Sequence, residues 1–142
     1  MGKKRIIKKT GAQESGPKTK NVSVSKKNVE YGVLQVQSTF NNTLVNLTDN
    51  KGNTLAWSSS GAVGFKGAKR GTPFAAAKVG EFLGEKAQAM GIKEVGVVIR
   101  GVGAGRESAV RGFISKGINL SFVRDETPLP HNGPRPPRPR RV

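Results

Sequence analysis

The last fifteen residues, 128–142, combine proline and arginine in a pattern suited to binding phosphate. They read PLPHNGPRPPRPRRV and hold six of the eight prolines, four arginines and no acidic residue. Proline fixes φ and cannot donate a backbone hydrogen bond, so this segment is predicted to be extended. Arginine carries a planar fork of donors that matches phosphate oxygens. The pattern therefore predicts an arm that binds RNA, with a disordered, merely soluble tail as the alternative.

A second candidate site is the glycine-rich segment 58–72, SSSGAVGFKGAKRGT. Phe65, Lys66, Lys69 and Arg70 stand among its four glycines. Small residues let a sugar-phosphate backbone approach closely, and the cationic side chains neutralise it. Such a loop can also be simply solvated, and the basic ends of the chain are what favour RNA contact here.

The segment 101–106, GVGAGR, joins a predicted strand to a predicted helix, a position that attracts phosphate. It does not match the dinucleotide fingerprint, because the sixth position is Arg106 when counted from Gly101 and Ser108 when counted from Gly103. A phosphate-binding P-loop motif is also missing from the sequence. Two interpretations stay open: a backbone that approaches an RNA phosphate beside Arg106, or a tight turn without a ligand.

Positive charge is concentrated at the two ends of the chain. The formal net charge is +16; residues 1–30 hold nine bases and two acids, residues 31–127 twelve and seven, and residues 128–142 four and none. Such ends need a polyanion, and nucleic acid fits better than a membrane because no apolar run reaches the roughly 18 residues needed to span one. The absence of cysteine excludes disulfides and thiol chemistry. The start, MGKKRIIKKTGAQESG, lacks an apolar signal core, which predicts a cytoplasmic protein, or one of an organelle stroma or matrix if organelle-encoded.

Three strands are predicted to follow a basic N-terminal arm at residues 1–28. Apolar residues alternate partly with glutamines from Tyr31 to Ser38, and further short apolar runs lie at 44–47 and 54–57. The segment 49–53, DNKGN, predicts a hairpin with Gly52 at positive φ. These strands are expected to form an antiparallel meander.

A long helix is predicted after the glycine-rich loop, with Thr72 as its N-cap, Pro73 at its first position and Gly91 at its end. Gly80 and Gly84 within it are expected to pack closely against the sheet. The residues predicted on its core face are Ala76, Val79, Phe82, Leu83, Ala87 and Met90.

The remaining elements complete the order βββαβαβ. The apolar run 95–99, VGVVI, predicts a central strand covered on both faces. A helix over about 107–116 and a strand from Ile118 to Asp125 follow. Right-handed crossovers then give an α/β fold with a mixed five-stranded sheet. The predicted division is an arm at 1–28, a core domain at 29–127 and an arm at 128–142.

This element order resembles ribonuclease-H-like folds, which raises a metal-dependent nuclease as an alternative. Such enzymes hold two metal ions with clustered carboxylates, yet the first strand contains none. Asp49 falls in a predicted turn and Asp125 at a strand end. His131, the only histidine, has no acid or base beside it in the tail and is predicted to contact RNA. No catalytic residue, metal site or cofactor is therefore predicted.

Three stretches together resemble the universal small-subunit ribosomal protein eleven family, in its bacterial-type form. They are SSSGAVGFKGAKRGTPFAA at 58–76, VIRGVGAGRESAVRG at 98–112 and DETPLPHNGPRPPRPRRV at 125–142. The resemblance runs in order over about residues 28–142, and the N-terminal arm is similar only in being basic. Pro134 and Pro139 depart from the family pattern within the tail.

The resemblance implies a ribonuclease-H-like, three-layer α/β/α core without catalytic residues. It implies a place on the platform of the small subunit, bound to the central domain of its rRNA, near the messenger RNA exit where the Shine–Dalgarno helix forms. Implied neighbours are small-subunit proteins seven, eighteen and twenty-one. The implied rRNA-binding residues are Lys66, Lys69, Arg70, Arg106, Arg111, His131, Asn132, Arg135, Arg138, Arg140 and Arg141.

Two rivals remain at this stage. A free RNA chaperone or DNA-binding protein would share the charge but have no fixed partner assembly. A nuclease would need a carboxylate cluster that the sequence does not suggest. The dipeptide Asn132-Gly133 is in addition expected to cyclise, with loss of ammonia, and then to convert to isoaspartate when water opens the ring, because Gly133 has no side chain.

Overall fold

The computed structural model describes residues 28–141, so the predicted N-terminal arm lies, apart from Asn28, outside the described residues. The strands are β1 (Tyr31–Ser38), β2 (Thr43–Thr48), β3 (Thr54–Ser59), β4 (Glu94–Gly101) and β5 (Asn119–Asp125). The helices are α1 (Ser60–Val63), α2 (Pro73–Met90) and α3 (Arg106–Ile114), with a 3-10 helix at Gly67–Gly71. The predicted order of the main elements is confirmed, and the two short helices lie in the segment predicted as a loop.

The five strands form one mixed sheet in the order β3-β2-β1-β4-β5. β1–β2 and β2–β3 are antiparallel, as the meander requires, while β1–β4 and β4–β5 are parallel. Leu34 pairs with Leu47 on one side and with Val97 on the other, so the apolar residues of neighbouring strands share a face. The predicted α/β class and mixed five-stranded sheet are confirmed.

The turn between β2 and β3 is held by Asp49 and Gly52. Asp49 Oδ1 accepts hydrogen bonds from the backbone N–H of Lys51 and Asn53, both at 2.9 Å, and Gly52 adopts a φ of 89°. The side-chain amide of Asn53 donates to the same carboxylate and is the main cause of the lowered pKa of Asp49. This matches the hairpin predicted from the sequence.

The core lies between one face of the sheet and the two longer helices. In β1, Leu34 and Val36 are buried while Gln35 and Gln37 are exposed. The apolar residues of the alternating sequence therefore point to the core face of the sheet, and the polar residues point to the opposite face. Leu83 of α2 and Phe113 of α3 complete this core with no more than 1% exposure. Burying each such side chain stabilises the fold by about 1.5–3 kcal/mol.

Helices α2 and α3 pack on the same face of the sheet and against each other. A Cβ added at Gly80 would overlap the carbonyl oxygen of Ala109, and one at Gly84 would lie 3.0 Å from the carbonyl oxygen of Phe113. These glycines therefore allow a close approach to α3, whereas the sequence had suggested the sheet. Residues 28–141 form two layers, so the predicted third layer is not present in the described part of the chain.

Within residues 28–141, no helix covers the opposite face of the sheet. Trp57 is 59% exposed there, and Val98 is only half-buried. Gly96 is buried because the Phe122 ring lies directly over it. In the part of the chain that the structure describes, β4 is therefore not covered on both faces as predicted: helices cover one face, and a single aromatic ring covers part of the other.

Helix α2 begins and ends where its sequence predicts. Thr72 Oγ1 accepts a hydrogen bond from the Ala75 N–H, and Gly91 ends the helix with a φ of 81°. Phe82, predicted on the core face, is instead 41% exposed, with the Lys86 ammonium 4.4 Å from its ring centre. Neighbouring Leu83 fills the core position. Among the described residues, no helix combines the length and apolarity needed to cross a membrane.

Candidate nucleic-acid interface

One end of the sheet gathers both glycine-rich loops and the start of the arginine-rich C-terminal arm. The last residue of β1, Ser38, pairs with Gly101 at the end of β4, and Ile99 pairs with Asp125 at the end of β5. Leu44 at the start of β2 pairs with Ser59 at the end of β3. Both glycine-rich loops, the β1–β2 turn and the beginning of the C-terminal arm therefore leave the sheet at the same end.

The segment 60–72 is an ordered structure of two short helical turns. Ser59 caps α1 by accepting a hydrogen bond from the Ala62 N–H at 3.3 Å, and Gly64 ends α1 with a φ of 114°. The 3-10 helix then carries Lys69 and Arg70 in its last turn. Thr72 Oγ1 donates to the Lys69 carbonyl at 2.6 Å, which ties this turn to the start of α2.

Gly71 packs the end of the 3-10 helix, which carries Lys69 and Arg70, against the β1–β2 turn. A Cβ at this position would overlap the carbonyl oxygen of Phe40 and lie 3.5 Å from the Cα of Asn41. The neighbouring Arg70 packs its Cδ 3.7 Å from the position of a Cβ on Gly61. The segment that carries these cationic side chains therefore packs against both the β1–β2 turn and α1.

Lys66, Lys69 and Arg70 form a cationic cluster on this turn, and we call it the basic turn. All three side chains are exposed, and none takes part in an ion pair found within residues 28–141. Arg70 Nε donates to the Gly67 carbonyl at 3.3 Å, which orients its guanidinium. The sequence has no acidic residue from 50 to 80. This positive charge is therefore free to neutralise a polyanion.

The glycines of the 101–105 loop have an intramolecular role. Gly103 donates its N–H to the Ser38 carbonyl at 3.1 Å, and Gly101, at a φ of 95°, leaves no space for a Cβ beside that same carbonyl. A Cβ at Gly105 would lie 2.5 Å from Thr43 Oγ1. This supports the tight-turn interpretation of the loop, since the glycines allow it to pack closely against residues of β1 and β2.

Arg106 connects the loop to the start of the C-terminal arm. Its Nη1 donates to the Gly101 carbonyl at 2.9 Å, and its Nη2 donates to Asp125 Oδ2. Asp125 Oδ1 also accepts from the backbone N–H of Thr127 at 3.0 Å and from its hydroxyl at 2.6 Å. The Thr127 hydrogen bonds, followed by that of Arg106, lower the pKa of Asp125 to about 2. Arg106 thus fixes where the arm leaves the sheet, and its contact with RNA stays a prediction.

The remaining predicted site residues lie on α3 and in the C-terminal arm. Arg111 is on the exposed side of α3, 3.4 Å from Glu107, and an exposed pair of this kind is weak. Residues 128–141 form neither helix nor strand, and Asn132 adopts a φ of 59°. The predicted site residues of this arm, all exposed, are His131, Asn132, Arg135, Arg138, Arg140 and Arg141.

Three phenylalanines at the same end add an aromatic surface that sequence reasoning largely missed. Phe40 is 77% exposed in the β1–β2 turn, and Phe74 is 63% exposed in the first turn of α2. Phe65 lies edge-on to Phe74, with ring centres 5.9 Å apart. The exposure of Phe74 could have been predicted from its spacing of four residues from Lys78. This spacing puts both residues on one side of α2, away from the face that carries Val79 and Leu83.

The described residues contain no group of three His, Asp or Glu side chains placed to hold a metal ion. A family model described as ribosomal protein S11 matches residues 32–141. The chain belongs to this family, as its three sequence motifs indicate. Its members are proteins of the small ribosomal subunit that bind rRNA.

Proposed function

We propose that this chain is a non-enzymatic component of the small-subunit platform, which binds the central domain of the rRNA and supports subunit assembly and translation. It lies near the exit path of messenger RNA, beside small-subunit proteins seven, eighteen and twenty-one, in a cytoplasmic particle. The core at 29–127 supplies the shape, and the arms at 1–28 and 128–142 extend along RNA.

The observation that carries this proposal is the placement of the basic turn. Lys66, Lys69 and Arg70 stand on a rigid backbone at the end of the sheet from which the arginine-rich arm also departs. Contacts to phosphate fix the position and orientation of a protein without reading base sequence. A rigid set of cations with an extended arm is suited to recognising the shape of folded RNA.

Cosedimentation of the tagged chain from cell lysate tests the proposal, on sucrose gradients run before and after a high-salt wash. We expect a sharp peak with the small subunit that survives the wash, because shape as well as charge holds the protein. A peak that disperses in salt, or that spreads over all nucleic acid, would point to a free chaperone or DNA-binding protein instead.

The arm is tested by replacing Arg135 and Arg138 together with alanine. We expect weaker, salt-sensitive incorporation into subunits and an unchanged free energy of unfolding, because both side chains are exposed in the structure. The control replaces Lys51 and Lys93, at the other end of the sheet, so that the loss of charge is the same. Unchanged incorporation of the arm variant would remove the arm from the proposed site.

The position on the platform is tested by chemical cross-linking of purified small subunits followed by mass spectrometry. We expect cross-links from the lysines of this chain to proteins seven, eighteen or twenty-one, together with protection of central-domain nucleotides from hydroxyl radicals. Cross-links and protections confined to another domain would leave rRNA binding intact but contradict the platform position.

A further inference from the structure

Phe40 is exposed beside the basic turn without an apparent role in the fold. Its ring is 77% exposed, although its carbonyl oxygen is pressed against Gly71, the residue after Arg70. Burying a phenylalanine side chain stabilises a protein by about 1.5–3 kcal/mol, and this ring contributes little of that. An exposed ring on such a constrained turn is positioned for a partner.

The Phe65–Phe74 pair continues this aromatic surface with a fixed geometry. The two rings stand at 83° to each other, and the Lys78 ammonium lies 5.5 Å from the Phe74 ring centre. Phe74 is part of α2, while the N–H of Phe65 donates to the Ser60 carbonyl at 3.1 Å. Both rings are therefore preorganised before any partner binds.

The positive charge around these rings indicates what kind of partner they bind. The rings lie beside the basic turn, and Phe65 and Phe74 fall in a stretch of sequence that has no acidic residue from 50 to 80. A partner that offers both flat π-faces and negative charge is a nucleotide whose base is unstacked. In a duplex the base faces are hidden between neighbouring base pairs, so a duplex offers these rings nothing to stack on.

Resting on the proposed function, we infer that Phe40 and the Phe65–Phe74 pair stack on unpaired bases of the rRNA. The RNA that reaches this end of the protein is then a loop or bulge, with its phosphates on the basic turn and its bases on the rings. Stacking tolerates any base, because every base has a π-face. The rings thus select unpaired RNA without selecting its sequence.

Binding of the full chain to deproteinised small-subunit rRNA tests this inference. Phe40→Leu and Phe74→Leu keep an apolar side chain and remove the π-face, whereas Phe40→Trp retains it. We expect each leucine variant to bind about fivefold to 150-fold more weakly, since stacking is worth about 1–3 kcal/mol per base. The tryptophan variant should bind as the wild type does, and the salt dependence should be unchanged because no phosphate contact is lost.

Phe82→Leu is the matched control, because Phe82 is also an exposed ring on α2 with a lysine over it but lies away from the basic turn. Unfolding midpoints establish that each variant is folded. In chemical probing of the bound rRNA, the leucine variants should expose unpaired bases that the wild type and Phe82→Leu protect. Loss of protection at paired nucleotides only would contradict the inference.

Leucine variants that bind rRNA as the wild type does would overturn the inference. If the leucine variants bind normally but replacing Lys66, Lys69 and Arg70 with alanine weakens binding, only the stacking inference is contradicted, and the proposed function stands. If neither set of changes weakens binding, both have failed. Leucine variants that bind free rRNA normally but do not enter subunits would assign the rings to a protein neighbour, which also overturns it.

Discussion

Gly71 lies against Phe40 with no room for a side chain between them, so the basic turn and the β1–β2 turn form one rigid unit. A Cβ on Gly71 would overlap the Phe40 carbonyl oxygen, which belongs to backbone and cannot swing aside as a flexible side chain could. The position of the three cations of the basic turn therefore depends on the uncharged contact between Gly71 and Phe40.

Gly71→Ala is expected to weaken rRNA binding although the net charge does not change. Relieving the overlap must displace one of the two turns, and overpacking of this kind destabilises a protein by about 1–3 kcal/mol. Urea unfolding and filter binding to small-subunit rRNA measure the two effects. Gly61→Ala is the control, since a Cβ there makes only ordinary contacts, with Arg70 Cδ at 3.7 Å and Ser59 Oγ at 4.0 Å. Wild-type behaviour of Gly71→Ala would show that the turns are not rigidly coupled.

Gly80→Ala and Gly84→Ala are expected to differ in their effect on stability. In an exposed helix either change would stabilise by about 1 kcal/mol through helix propensity. A Cβ at Gly80 meets backbone of α3, including the Phe113 nitrogen at 2.9 Å, whereas the nearest atoms at Gly84 belong to the flexible Lys116 side chain. Urea midpoints should therefore fall more for Gly80→Ala. Equal or reversed effects would mean that α3 moves away readily.

Local signals in the sequence predicted the boundaries of α2 well. Thr72, Pro73 and Gly91 act through their own backbone and nearest neighbours, and the structure confirms all three. The strands were predicted for a similar reason, because alternation of apolar and polar residues reports directly on which face of a strand is buried.

Contacts between distant elements were not predictable in the same way. A glycine inside a helix indicates that another element packs closely against it, but it does not show which element. Gly80 was therefore assigned to the sheet, although it faces α3. Phe82 was placed in the core because helical spacing alone cannot tell it from Leu83 at the edge of the apolar face. The pairing of Arg106 with Asp125, nineteen residues apart, likewise depends on the parallel arrangement of β4 and β5.

Replacing Lys66, Lys69 and Arg70 with alanine is expected to reduce the salt dependence of rRNA binding. Each phosphate contact releases counterions and contributes about 0.7–0.9 to the slope of log K against log salt concentration. Loss of three such contacts should lower the slope by about 2–3 and weaken binding most at low salt. Titration of binding between low and moderate salt measures this slope.

The matched control for that change removes Lys51, Lys86 and Lys93, which lie in the β2–β3 turn, late in α2 and just before β4. The loss of charge is the same, but these positions are at the other end of the sheet. We expect the slope to stay close to that of the wild type. Equal slopes for the two triple variants would mean that total charge, and not the basic turn, governs binding.

Acid is expected to loosen the start of the C-terminal arm through Asp125. Hydrogen bonds from Thr127 and Arg106 lower the pKa of this carboxyl from 3.8 to about 2, so the folded state favours the ionised form. The resulting stabilisation is fully present above about pH 3.8 and is lost as pH falls towards 2. Asp125→Asn should therefore lower the thermal midpoint at neutral pH, and its difference from the wild type should shrink between pH 4 and pH 2. A difference that stays constant down to pH 2 would show that the carboxylate charge is not what holds Arg106, and that packing around Gly101 positions the arm instead.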